Sequence, residues 1–124
     1  MSTLNINKTK NTPAVHAEIE GGQVLISVVG NTFPENAKQF YAQLIDWLKE
    51  NANEIDSVDF DADFHYMASS SLICFLDVLR TAIQLVGVDK CSLKWKYEED
   101  DDDILKIGQN FSKILSINID LIAY

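Results

Sequence analysis

The chain has 124 residues, 47% of them hydrophobic, which fits one domain with its own core and leaves no room for a second. Ten Lys and Arg against 19 Asp and Glu give a net charge of -9, a balance that repels phosphate backbones and anionic lipid and disfavours nucleic acid and membrane surfaces as partners. The expected partners are proteins.

The opening stretch, Met1 to Pro13, has no apolar signal-type segment. No uninterrupted apolar run reaches the ~18 residues of a membrane span, so a cytoplasmic location is expected. Residues 1–14 read as an irregular lead-in. Val15 to Glu20 and Gln23 to Val29 are short β-type runs around Gly21-Gly22, a pair that supplies the positive φ of a tight turn and predicts a hairpin. Thr32 and Glu35 stand at capping-box spacing, and Pro34 falls where a first helical turn tolerates it. Ala37, Phe40, Tyr41, Leu44, Ile45 and Leu48 then recur at helical spacing and predict an amphipathic helix to about Asn51.

From Ile55 to Met67, Val58, Phe60, Ala62 and Phe64 fall on one face while Asp59, Asp61, Asp63 and His65 fall on the other. A strand with one buried and one wet face reads this way, and it predicts a sheet covered by helices mainly on one side. A second helix is expected after Ser69-Ser70-Ser71, carrying Leu72, Ile73, Phe75, Leu76, Leu79, Ile83 and Val86 and stopping at Gly87. Cys91 to Tyr97 reads as a strand. Glu98 to Asp103 lead into a third helix bearing Ile104, Leu105, Ile107, Phe111 and Ile114, and Ile117 to Tyr124 is a last strand. The order ββαβαβαβ predicts one α/β domain over residues 1–124, with a mixed sheet whose parallel neighbours are joined by right-handed crossovers.

Little in this pattern supports catalysis or metal binding. The glycines match neither GxGxxG nor GxxxxGK[ST], so no nucleotide cofactor is expected. Cys74 and Cys91 form no CxxC pair, have no histidine at metal-ligand spacing, and read as reduced structural thiols. His65, Ser69 and a strand aspartate could form a hydrolase triad, but there is no GxSxG elbow. Asp59, Asp61 and Asp63 could hold a cation as the core of a metal-dependent hydrolase. Carboxylates at period two lie about 7 Å apart, too far for neighbours to share one small ion unaided, and a solvated face is the better reading. Glu98 to Asp103 lacks the glycine and spaced ligands of a calcium loop, and its plain role is to set negative charge at the start of the third helix.

The serine cluster Ser69-Ser70-Ser71 is more informative. One serine is expected to serve as N-cap, and three leave at least one hydroxyl spare. A phosphoryl group there meets free backbone N–H groups and the helix dipole, so the fold can accept a dianion at little cost.

Four stretches of the chain resemble the SiaC-type family of bacterial regulatory phosphoproteins: Thr12-Pro13; Gly30 to Asn36 with Phe40-Tyr41 and Trp47; Tyr66 to Ser71; and Trp95 to Asp101 with Gly108 and Phe111. That family is in turn similar to the anti-sigma-factor antagonist (STAS) fold, whose hallmark is a phosphorylatable residue at the start of the helix after a central strand. The family's usual Asn-Thr-Ser-Ser is here Ala68-Ser69-Ser70-Ser71. The resemblance implies phosphorylation at Ser69, with Ser70 second, and a partner surface of Tyr66, Ala68, Ser69, Ser70 and Ser71. It further implies a non-enzymatic protein modified by a serine/threonine kinase and a PP2C-type phosphatase. Its unmodified form would bind and activate a diguanylate cyclase in the cyclic-di-GMP control of biofilm and aggregation. The alternative is an anti-sigma-factor antagonist that binds a kinase-type anti-sigma factor.

Overall fold

The computed structural model describes residues 2–124. Among these the order is β1 (Thr3–Ile6), β2 (Ala14–Glu20), β3 (Gln23–Thr32), α1 (Ala37–Glu50), β4 (Ser57–Met67), α2 (Ser69–Val86), β5 (Cys91–Tyr97), α3 (Asp102–Leu115) and β6 (Asn118–Ala123). The strands form one sheet in chain order, β1-β2-β3-β4-β5-β6. β2 pairs antiparallel with both β1 and β3, and β3 through β6 run parallel. Because the order of the parallel strands never reverses, right-handed crossovers place every connecting helix on the same side. The mixed sheet with helices on one face, expected from the alternation in β4, follows from that topology.

The β2–β3 hairpin closes on Gly21 and Gly22 at φ 58° and 84°, with Glu20 opposite Gln23. Two successive positive φ values make a type I′ turn, whose twist matches that of the strands. On the helix side Val24, Ile26, Val58, Phe60, Ala62, Phe64, Leu93 and Trp95 are buried against Tyr41, Leu44 and Leu48 of α1, Phe75 and Leu79 of α2, and Phe111 of α3. Phe75 stands at the centre, with ring centroids 5.1 Å from Phe64, 6.1 Å from Tyr41 and 6.3 Å from Trp95. By length and composition α2 could cross a membrane, with a mean hydropathy of 1.4. In this fold it is the helix at the middle of the core.

Two expectations are corrected. The lead-in expected over residues 1–14, of which Met1 lies outside the described residues, is not wholly irregular: Thr3–Ile6 adds a strand to the edge of β2, since Leu4 and Ile6 alternate inward and pack on the core. Four residues were too short a period-two run to stand out. Thr32 does not cap α1. It is the last residue of β3 and fully buried, and the N-cap is Asn36, whose Oδ1 accepts from the Gln39 N–H at 3.0 Å.

Candidate functional site

β4 ends at Met67 beside Thr32 of β3, and α2 begins two residues later. The N-cap of α2 is Ala68, in extended conformation at φ −71° and ψ 155°, and no side chain caps the helix. A serine cap was expected. Instead the serines occupy the first turn itself, where their hydroxyls lie beyond the N-cap position. The Ala68 carbonyl accepts the first helical bond from Leu72 N–H at 3.0 Å. The N–H groups of Ser69, Ser70 and Ser71 belong to the turn that intrahelical bonding leaves unpaired.

The three serines have different surroundings. Ser69 and Ser70 are exposed, whereas Ser71 is fully buried. The Ser71 Oγ accepts from Thr32 Oγ1 at 2.8 Å, and Thr32 Oγ1 lies 2.7 Å from the Tyr41 hydroxyl. Burial holds the Tyr41 phenol far above its ordinary pKa, with the hydrogen bond to Thr32 pulling weakly the other way, so it is a neutral structural hydroxyl. Of the expected partner surface, Tyr66 is 56% exposed, Ala68 is half-buried, and Ser69 and Ser70 face solvent. Ser71 faces the interior.

The surface also contains residues that sequence reading had not assigned to it. The Phe33 ring meets Tyr66 edge-on at 5.7 Å, and Ile73, one turn beyond Ser69, is 60% exposed. Phe33 could have been found from its place between a strand end and Pro34, where a large ring has little core to enter. Ile73 was hidden because its spacing matches the buried stripe of α2. No acidic residue stands in the first turn.

The other chemistries do not assemble. His65 Nε2 lies 3.8 Å from Asp63 Oδ1, but no hydrogen bond joins it to Ser69 among the described residues. Each of the three β4 aspartates on the bare sheet face has its own partner. Asp59 accepts from Gln23 Nε2 at 2.6 Å, Asp61 pairs with Lys96 Nζ at 3.2 Å, and Asp63 accepts from the Tyr124 hydroxyl at 2.8 Å. No group of three His, Cys, Asp or Glu that could hold a metal is gathered among the described residues. In the acidic run, Asp101 is the N-cap of α3, accepting from Ile104 N–H at 3.1 Å, with Asp102 and Asp103 in the first turn.

A mixed sheet bare on one face, with a central helix that starts on exposed hydroxyls at the end of a central strand, defines a STAS-like domain. The unphosphorylated anti-sigma factor antagonist SpoIIAA has this fold, matching at a TM-score of 0.54 and 14% identity over 86% of this chain and 87% of that one. The chain belongs to the SiaC family of regulatory phosphoproteins, whose model matches residues 6–124. SiaC of Pseudomonas aeruginosa superposes with a TM-score of 0.85 at 25% identity, all of both chains covered. A chain in the crystal structure of the diguanylate cyclase SiaD with its activator SiaC, from the same organism, matches at 0.84 and 24% identity over 98% of this chain and 99% of that one.

Proposed function

We propose that this chain is a non-enzymatic cytoplasmic adaptor that, unmodified, binds and activates a diguanylate cyclase and is switched off when a serine/threonine kinase phosphorylates Ser69. A PP2C-type phosphatase resets it. The observation that carries the reading is the pair of exposed hydroxyls, Ser69 and Ser70, on the first turn of a helix whose N-cap, Ala68, has no side-chain acceptor for the turn's N–H groups. Such a turn attracts an anion. The Phe33–Tyr66 pair and Ile73 flank it with exposed apolar surface of the kind a protein partner covers.

The partner is proposed from family membership together with the SiaC–SiaD complex, in which the related activator is bound to a cyclase. The alternative, an anti-sigma-factor antagonist, has behind it only a likeness of fold at 14% identity. A phosphoserine adds a charge of about −1.5 to −2 at neutral pH, and a partner surface shaped for a hydroxyl would have to desolvate it. A loss of affinity of about tenfold to a thousandfold follows, roughly 1.4 to 4 kcal/mol.

The test has two parts. Peptide mass spectrometry after incubation with the kinase of the same organism maps the modified residue. Titration of unmodified and stoichiometrically phosphorylated protein against that organism's cyclase then compares affinities. Equal affinities, or modification at Ser70 alone, would remove Ser69 as the switch.

A further inference from the structure

We propose that Thr32 is the positioning residue of this switch: its hydroxyl and carbonyl together hold the first turn of α2 in place of the missing side-chain cap. The proposal rests on the function above for what the turn is used for, but its structural core stands independently. Thr32 is fully buried at the end of β3. Its carbonyl accepts from Ala68 N–H at 3.0 Å, and its Oγ1 donates to Ser71 Oγ at 2.8 Å. The same Oγ1 lies 2.7 Å from the Tyr41 hydroxyl. The hydroxyls of Tyr41, Thr32 and Ser71 form one continuous chain. It ties α1, β3 and α2 together through three buried hydroxyls.

This anchoring decides which serines are available. Successive residues of an α-helix turn by about 100°, so holding Ser71 inward sets the rotation of the whole turn about its axis. Ser69 and Ser70 are directed outward as a result, and Ser71 is withdrawn from any kinase. The same strand end leads directly into Phe33, whose ring meets Tyr66 beside the site. One residue thus sets both the hydroxyls and the apolar rim that a partner reads. Replacing its hydroxyl by a methyl would leave two buried hydroxyls without their partner, the costly way to lose a hydrogen bond.

The experiment compares Thr32→Val, which keeps the shape, with Thr32→Ser, which keeps the hydroxyl, and with Ser71→Ala, all in the full chain. Amide hydrogen exchange at Ala68 and Leu72, read by NMR, should quicken about tenfold in Thr32→Val and about threefold in Ser71→Ala, the scale set by one or two neutral hydrogen bonds. Thr32→Ser should stay near the unaltered rate, and the α2 core at Phe75 and Leu79 should keep its protection in all three. The kinase's kcat/KM at Ser69 should fall about tenfold in Thr32→Val and recover in Thr32→Ser.

Unchanged exchange in Thr32→Val, or a Thr32→Ser variant as loose as Thr32→Val, would overturn the proposal. Should Thr32→Val not fold, Ser71→Ala decides: unchanged exchange at Ala68 and Leu72 would likewise overturn it. If Ser69 of the unaltered chain is no substrate, the proposed function fails, and the exchange comparison still decides the role of Thr32.

Discussion

Replacing Gly108 by alanine tests how α3 packs on the sheet. On helix propensity alone the change should stabilise the protein by about 1 kcal/mol, because glycine in a helix interior leaves the unfolded chain more freedom. The structure predicts the opposite sign. A Cβ at position 108 would lie 2.7 Å from Trp95 Nε1 and 2.8 Å from Trp95 Cγ, and closer still to Cδ1. The indole has nowhere to retreat: it is fully buried, its ring centroid is 5.3 Å from Phe111 and 5.6 Å from Phe64, and its Nε1 donates to the Ile104 carbonyl at 2.8 Å. Overpacking of a filled core costs about 1–3 kcal/mol, and pulling a buried N–H off its acceptor adds about 1–3. Net of the propensity gain, the loss is about 3 kcal/mol, or about 12 °C in Tm for a domain of this size. Urea unfolding followed by tryptophan fluorescence gives the value, with Gln109→Ala on the exposed side of α3 as a control expected to stay within about 0.5 kcal/mol. A midpoint for Gly108→Ala equal to or above that of the unaltered protein would refute the packing argument.

Ala68→Asn should stabilise the fold by about 0.5–1 kcal/mol in thermal unfolding, since it supplies the acceptor that the first turn of α2 lacks. Ser69→Ala should change stability by less than about 0.5 kcal/mol, because Ser69 is not the N-cap and makes no capping bond; a loss nearer 1–2 kcal/mol would mark it as a cap after all. Burial, and then the nearby Asp59 carboxylate, push the Cys91 thiol from an ordinary 9.0 up to about 11. The folded state therefore keeps the proton that the unfolded state releases, so this thiol's contribution to stability is intact below pH 9 and is lost as pH rises from 9 towards 11. Cys91→Ala should show a shallower fall over the same window in urea titrations.

Most of the fold was legible because its signals are local. Alternation in β4, the Gly21-Gly22 turn and the helical spacing in α1 and α3 each depend on a few consecutive residues whose burial is decided by period. The two capping misreadings have a common cause. Thr32, three residues before Glu35, has capping-box spacing, and Ser69 to Ser71 stand where an N-cap belongs. In both places the side chain's partner comes from elsewhere in the chain: Thr32 bonds to Ser71, 39 residues away, and the α2 cap position falls to a residue with no hydroxyl at all. Local spacing cannot see a hydrogen bond closed by tertiary contact. The candidate site was legible as a place, Tyr66 to Ser71, but not as a division of labour. Nothing in a run of three serines tells which one faces inward; that depends on a threonine in another strand.

The same run is a place where the fold can take up the proposed modification without a pocket. The C-terminal ends of β3 and β4 meet at Thr32 and Met67, and the chain crosses from there straight into α2. Carboxyl ends of parallel strands are where open α/β sheets present their sites, because helix N-termini converge there. A helix start built on rigid strands presents Ser69 and Ser70 without a cavity, and the unpaired N–H groups of the turn can receive charge without rearrangement. Were residue 68 an asparagine, its side chain would compete for those N–H groups and a phosphate would have to displace it. With Ala68 nothing competes. The turn is held from the side by Thr32 instead of from the end, so the stability of α2 and its capacity for an anion rest on separate groups.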